Sequence, residues 1–248
     1  MGLTAAGYNH FQHLCPRVFF HKDCARKMKK TLHTLVALAV ACGTAAIHAQ
    51  EVQGNAQAGE QKNAMCIGCH GIAGYQSSFP QVHRVPMISG QNAAYLAAAL
   101  QAYHQGERKH PTMRGVSISL TPQDIADLSA YYAQHGKAGT ELPATPRREP
   151  SAQVAQLLQK GACVSCHGDN FAKPIDPSYP KIAGQHADYL YVALTSYQAK
   201  ADQAYVGRSN PVMAGVVSQF TPAELKALAQ YIGKLDGDLR VVPQSRWR

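Results

Sequence analysis

The sequence predicts an all-α fold: two helical lobes in tandem, related by internal duplication and joined by a proline-rich linker. Three observations predict it. The 248-residue chain repeats itself, with Pro86-Met87-Ile88-Ser89-Gly90-Gln91 answering to Pro180-Lys181-Ile182-Ala183-Gly184-Gln185 and Tyr95-Leu96 to Tyr189-Leu190. Further on, Pro111-Thr112-Met113-Arg114-Gly115-Val116 answers to Pro211-Val212-Met213-Ala214-Gly215-Val216, and Leu120-Thr121-Pro122 to Phe220-Thr221-Pro222. Second, Ile125, Leu128, Tyr132 and Leu225, Leu228, Ile232 recur at helical spacing behind the two Thr-Pro pairs, giving each repeat one apolar face for a core. Third, each repeat carries one Cys-x-x-Cys-His motif, at Cys66-Ile67-Gly68-Cys69-His70 and Cys163-Val164-Ser165-Cys166-His167. The offsets of 97, 94 and 100 residues along the repeat imply small loop insertions, and so long a period excludes a solenoid.

Taken from the start, residues 1–49 read as an upstream extension followed by a cleaved export signal. Met28 is the expected initiator; Lys29 and Lys30 precede an apolar run from Leu32 to Ile47, and Ala49 is the expected cut site. The run is shorter than the roughly 20 residues a membrane span needs. A competing reading takes Ala39-Val40-Ala41-Cys42 as a degenerate lipoprotein site that keeps Cys42 as a lipid anchor. Leu ordinarily stands where Ala39 does, which favours the cut at Ala49. Residues 50–137 then form the first lobe, 138–150 the linker with its three prolines and no apolar period, and 151–248 the second lobe. Each half is expected to run helix, motif, loop, helix, methionine loop, helix. Thr121-Pro122-Gln123-Asp124 and Thr221-Pro222-Ala223-Glu224 place an N-cap Thr before a Pro at the first helical position, Glu224 completing a capping box and Asp124 a shorter version.

The composition is that of a folded chain: 46% hydrophobic, 16% charged, with a formal charge of +9. Six of the 24 Lys and Arg lie in residues 1–49 against one acid, so the remainder carries only +4. No basic stripe interleaved with aromatics survives, and nucleic-acid binding is not expected. Residues 50–145 hold six basic and six acidic side chains and residues 151–248 ten and seven, so the second lobe is the more basic. Such asymmetry can orient an encounter with an acidic partner, although a plain solvated surface explains it equally.

Of seven cysteines, Cys15, Cys24 and Cys42 lie in the discarded segment. The other four form the two pairs, each followed at once by His, which is the attachment pattern of c-type haem. Two thiols on one helical turn can add to the two vinyl groups of one porphyrin, and the adjacent His then meets the iron. A zinc ribbon wants its pairs roughly 15–20 residues apart, whereas Cys69 and Cys163 are separated by 93. A thioredoxin-like pair needs a strand–helix–strand setting, and neither it nor a disulfide accounts for the histidines.

The repeat also selects the sixth iron ligands. Met65 and Met87 face Ala162 and Lys181, while Met113 alone faces another methionine, Met213. The other histidines fail the same comparison: His104 faces Gln198, His110 faces Asn210, and His135 and His186 face Leu235 and Asn92. His70 with Met113 and His167 with Met213 are therefore the expected axial pairs. Thioether sulfur favours ferrous iron and raises the potential; with both axial positions filled, the haem should carry electrons rather than bind oxygen or peroxide. A ligating His donates its second ring nitrogen to a fixed acceptor, and the carbonyls of Pro86 and Pro180 are the candidates, a plain turn role being the alternative. Gln91, Tyr95, Gln185 and Tyr189 are candidates for hydrogen bonds to haem propionates, or else helix-surface or core residues. A lobe of about 95 residues is small for self-sufficient burial, so the haem is expected to supply much of each core.

Two class I cytochrome c domains in tandem, each with Cys-x-x-Cys-His, Pro-x-x-x-Gly-Gln and Pro-x-Met-x-Gly, resemble the di-haem cytochrome c4 family over nearly all of residues 50–248. The resemblance implies two covalent haems close across the domain interface, and a periplasmic electron carrier, often associated with the membrane, running from a quinol-oxidising complex to a terminal oxidase. Met65 before the first motif, and Lys200 with Asp202 where the first half has Gly106-Glu107-Arg108, are departures that bear on partner contacts. The competing function is the haem subunit of a dehydrogenase complex. No dinucleotide fingerprint is present, so the chain alone is not expected to be an enzyme; a di-haem peroxidase would have to release Met113 or Met213.

Overall fold

Six of the ten described helices start on a single capping side chain. In the computed structural model, which describes residues 52–137, 139, 141–200 and 202–243, Asn55 precedes helix α1 (Ala56–Lys62) and its Oδ1 accepts from the N–H groups of Gln57 and Ala58 at 2.9 and 3.0 Å. The expected export segment, with Met28, Cys42 and Ala49, lies outside the described residues. Helix α2 (Ala64–His70) carries the first cysteine motif and α3 (Ala93–Gln105) ends at Gly106, whose φ of 83° is the left-handed stop that glycine supplies. Helices α4 (Pro111–Ser117) and α5 (Pro122–Gln134) complete the first lobe. The second lobe repeats the order with α6 (Ala152–Lys160), α7 (Val164–His167), α8 (Ala187–Ser196), α9 (Pro211–Val217) and α10 (Pro222–Ile232).

Both Thr-Pro starts form full capping boxes. Thr121 Oγ1 accepts from the Asp124 N–H while the Asp124 carboxylate accepts from the Thr121 N–H at 3.0 Å, and Glu224 does the same for Thr221 at 2.7 Å. Asp124 is thus as complete a partner as Glu224, because a shorter acid still reaches back when Pro fixes the first turn. The expected apolar faces are buried: Ile125, Leu128, Tyr132, Leu225, Leu228 and Ile232 are all under one-tenth exposed. Leu96, Leu128 and Tyr132 form the first lobe's core cluster, with Cys66 and Ile88 packed against it. The second lobe holds a larger one around Phe171, Leu190, Ala229 and Leu235, and a neighbouring cluster of Leu157, Val217, Phe220, Leu225 and Leu228.

Two expectations change. The methionine segments are short helices rather than loops, because His110 and Asn210 act as extended N-caps and Pro111 and Pro211 sit at the first helical position. Short strands also appear. β1 (Gln76–Ser77) pairs antiparallel with β2 (His83–Arg84) inside the first lobe, and β3 (Arg108–Lys109) pairs antiparallel with β4 (Gly207–Arg208) across the lobes. At two residues each, they leave no alternating sequence pattern to detect.

Helix α1 crosses α5 without intervening side chain. A Cβ on Gly59 would stand 2.1 Å from the Asp127 carbonyl oxygen and 2.7 Å from the Tyr131 Cβ, so only glycine permits this approach. A polar clamp fixes the crossing. The buried Asp127 carboxylate accepts from the Asn55 N–H at 2.7 Å, from Lys62 Nζ at 2.7 Å and from Gln123 Nε2 at 2.8 Å. Lys62 foremost, then Asn55, hold that carboxyl below the usual carboxylate range. The linker is bound rather than free: Asn170 Nδ2 donates to the Pro143 carbonyl and Tyr231 Oη to that of Arg148, while Leu142 packs on the second core.

Gly59→Val should destabilise the holo-protein by about 1–3 kcal/mol, the range for overpacking a tight contact. Urea unfolding followed by helical circular dichroism measures it; an unchanged midpoint would contradict the close crossing.

Candidate haem sites and the lobe interface

Each cysteine motif sits on one helical turn, which sets the two sulfurs on neighbouring positions and the histidine immediately beyond. Cys66, Cys69, Cys163 and Cys166 are all half-buried and none is in a disulfide. Burial pushes the Cys66 thiol up to about 11 and raises that of Cys163. The histidines are held by backbone. His70 Nδ1–H donates to the Pro86 carbonyl oxygen at 2.8 Å, and His167 Nδ1–H to that of Pro180 at 3.1 Å. In each the donor role of Nδ1 leaves the Nε2 lone pair as the free ligand position. Burial is the larger influence on both rings and lowers their basicity. Paired cysteines on one helical turn for the two vinyl groups, beside a histidine of fixed tautomer for the iron, are what haem c requires, and the residues present fit the group.

The methionines are placed with equal care. Met113 and Met213 are each the third residue of a short helix, half-buried. The Met213 N–H donates to Asn210 Oδ1 at 2.9 Å, and the Met113 N–H to His110 Nδ1 at 3.4 Å. Ser117 Oγ donates to the Met113 carbonyl. The far end of each helix is anchored too: His104 Nδ1–H donates to the Ser117 carbonyl at 3.0 Å, and Gln198 Nε2 to that of Val217 at 2.7 Å. His104 and Gln198, rejected as ligands on sequence, thus share a structural task.

Gln91 and Gln185 are used differently from the propionate role considered for them. Gln91 Nε2 donates to the Lys181 carbonyl at 2.9 Å and its Oε1 accepts from the Lys181 N–H at 2.9 Å. Gln185 Nε2 donates to the Met87 carbonyl at 2.9 Å and its Oε1 accepts from the Met87 N–H at 3.0 Å. Each amide therefore clamps the facing lobe's backbone, reciprocally, and each Oε1 also accepts from the next N–H of its own chain, Asn92 or His186. The glycines before them make this possible. Gly90 and Gly184, at φ 86° and 72°, turn the backbone so that their N–H groups donate to the last turns of α5 and α10, at the Tyr132 and Ile232 carbonyls.

Tyr95 and Tyr189 converge on two arginines that the sequence reading did not pair with each other. The Tyr189 hydroxyl accepts from Arg108 Nη2 at 2.7 Å and Arg208 Nη2 at 3.2 Å; that of Tyr95 accepts from Arg108 Nη1 at 3.4 Å. Arg108 and Arg208 are direct cross-strand partners, so Arg208, and not the Lys200–Asp202 stretch, is the counterpart of Arg108. The second lobe carries its extra residues between Gln198 and Gly207. Extending the methionine offset of 100 backwards, Arg108-Lys109-His110-Pro111 against Arg208-Ser209-Asn210-Pro211, was the available signal.

Comparison with known proteins agrees with this geometry. The family model described as Cytochrome c matches residues 56–135 and 151–236. Cytochrome c4 of Stutzerimonas stutzeri is 32% identical over 211 residues, covering 80% of this chain and 96% of that one. The thiosulfate dehydrogenase electron acceptor of Stutzerimonas stutzeri strain A1501 is 25% identical over 218 residues, 83% of this chain and 96% of that one. The crystal structure of reduced recombinant cytochrome c4 from Pseudomonas stutzeri aligns at TM-score 0.52 and 26% identity, over 74% of this chain and all of that one.

Gln185→Ala should cost about 1–3 kcal/mol, the desolvation penalty of leaving buried backbone groups unpaired, and Gln91→Ala a similar amount. Thermal unfolding measures the loss. Equal melting of both variants and the parent would contradict the clamp.

Proposed function

Because the chain belongs to the cytochrome c family and within it to the di-haem cytochromes c4, carrying two covalent haem c groups for electron transfer, we propose the following assignment of its residues. Cys66 and Cys69 bind one haem and Cys163 and Cys166 the other, with His70 and Met113 as axial ligands of the first iron and His167 and Met213 of the second. Haem iron supplies the one-electron couple. The observation that carries the assignment is the recurrence, in both lobes, of a histidine fixed by a proline carbonyl and a methionine on a capped helix.

The chain's own part is to hold those ligands still. The Pro86 and Pro180 carbonyls orient the imidazoles and raise their basicity as ligands, and the His110 and Asn210 caps fix the helices that carry the sulfurs. Filled axial positions leave no place for a substrate on either metal, so the role is carriage and not catalysis. The basic start at Lys29 and Lys30, the apolar run and Ala49 support export to the periplasm. Among the described residues no helix is long and apolar enough to cross a membrane, which supports at most a peripheral association with it. In that compartment the reading is a carrier from a quinol-oxidising bc complex to a terminal oxidase.

A second reading has a specific observation behind it. Likeness over most of both chains to a thiosulfate dehydrogenase electron acceptor favours a dehydrogenase as the electron donor. Stopped-flow reduction separates the two: a purified bc complex should reduce the protein faster than thiosulfate dehydrogenase with thiosulfate does, and the reverse order would establish the second reading.

The oxidised protein should show the near-infrared sulfur-to-iron charge-transfer band for both haems, and its absence would overturn the methionine assignment. Met113→His should lower one midpoint potential by on the order of 0.1 V or more, within the ~0.8 V range that axial ligands span, and move the other far less. Spectroelectrochemistry reads both.

A further inference from the structure

Arg108 and Arg208 present a charge problem that the polypeptide does not solve. Strand pairing of β3 with β4 sets their Cα atoms opposite one another, one from each lobe. Arg108 is 8% exposed and Arg208 half-buried. Two like charges side by side and out of water are costly unless anions accompany them. Among the described residues no carboxylate lies within ion-pair distance of either. Their surroundings are aromatic instead: the Arg108 guanidinium lies 4.5 Å from the Tyr103 ring centre, and that of Arg208 lies 5.6 and 5.5 Å from those of Tyr189 and Tyr197.

The hydrogen bonds are incomplete as well. Arg108 uses Nη1 and Nη2 on tyrosine hydroxyls, and its Nε is buried with no acceptor. Burial would raise the Tyr189 phenol, yet Arg108 and Arg208 outweigh it and draw it down to about 7, so even a phenol is pulled towards carrying the missing negative charge. A guanidinium with a free Nε–H edge is built for a carboxylate. The charge balance asks for an anion, and each haem carries two propionate carboxylates.

Resting on the haem placement above, we propose that Arg108 and Arg208 form one shared carboxylate site for the propionates of both haems, each arginine serving the other lobe as well as its own. The cross-lobe contact of Arg108 with Tyr189 and the facing position of Arg208 carry the sharing. A positive charge held against the carboxylates of both haems would disfavour the ferric state of each iron. The two lobes are thereby tuned together.

The test uses holo-protein, with haem content measured by the pyridine haemochrome and the two potentials assigned through Met113→His. Arg208→Gln and Arg108→Gln should each lower both potentials, while Arg208→Lys, which keeps the charge, should leave both close to the parent's. A shift confined to one lobe, or none in either, overturns the proposal. Should Arg108→Gln fail to accumulate, Arg208→Gln, at the more exposed position, carries the same test. The same chemistry would serve a free anion, so inorganic phosphate is titrated into the parent: unmoved potentials support haem carboxylates. Potentials that move with phosphate in the parent but not in Arg208→Gln make the pair a free-anion site and overturn it. Parent protein without two haems refutes the underlying haem reading instead.

Discussion

The hydrogen bond from a histidine ring to a proline carbonyl, His70 to Pro86 and His167 to Pro180, is the contact on which the rest of the arrangement depends. It fixes which nitrogen faces the metal position. It also ties that position to the lobe interface, because the next residue, Met87 or Lys181, presents its N–H and C=O to the glutamine of the opposite lobe. Three residues further on, Gly90 or Gly184 turns the chain against the end of its own lobe's last helix. The Pro-x-x-x-Gly-Gln segment therefore does three things in six residues. It orients the ligand, joins the segment to its own core, and joins the lobes to each other.

At the centre of the interface the lobes are joined by these paired polar contacts. Two glutamine amides each make a donor and an acceptor bond to backbone, and such groups, once buried, are expensive to leave unpaired. Outside the centre the lobes are held by Arg84 with Asp188, at 3.0 Å, and by the chain beyond α10, where the Arg240 N–H donates to the Ser89 carbonyl. The exposed ion pair adds little on its own. Sliding one lobe past the other would break both glutamine clamps at once, so the interface resists shear through hydrogen-bond geometry.

What the sequence disclosed is what repeats locally. Capping boxes, apolar faces and the two cysteine motifs each lie within a few residues, and each is written twice, so the all-α architecture could be read directly and the donor set proposed from the same recurrence. Gln91 and Gln185 were visible as a recurrence, but not their partners, which lie some ninety residues away in the other lobe. Their recurrence was compatible with a ligand contact until the facing backbone was placed. Arg108 and Arg208 escaped for a different reason: the insertion after Gln198 shifts the offset, and following the earlier offset of 94 through it matched Arg108 to the wrong residue. A two-residue strand formed between lobes leaves no periodic signature, so only the pairing itself reveals it.

The duplication has kept the donors and changed their surroundings. The methionine helices are capped by an imidazole in one lobe and an amide in the other, and the partner of the interface glutamine is Met87 on one side but Lys181 on the other. The added cation is compensated where it stands: Lys181 Nζ lies 2.6 Å from Asp238 and donates to the Gly90 carbonyl at 2.9 Å. Among the described residues the first lobe alone carries the β1–β2 hairpin, which sets the His83 ring 6.0 Å from those of both His110 and Tyr189. With the proposed histidine and methionine ligands the same on both metals, a difference between their potentials must arise from these neighbours, from cap polarity, burial and local charge, and not from coordination. A carrier with two identical couples would have no preferred resident lobe for an electron. Divergence around unchanged ligands is how a duplicated domain can acquire one.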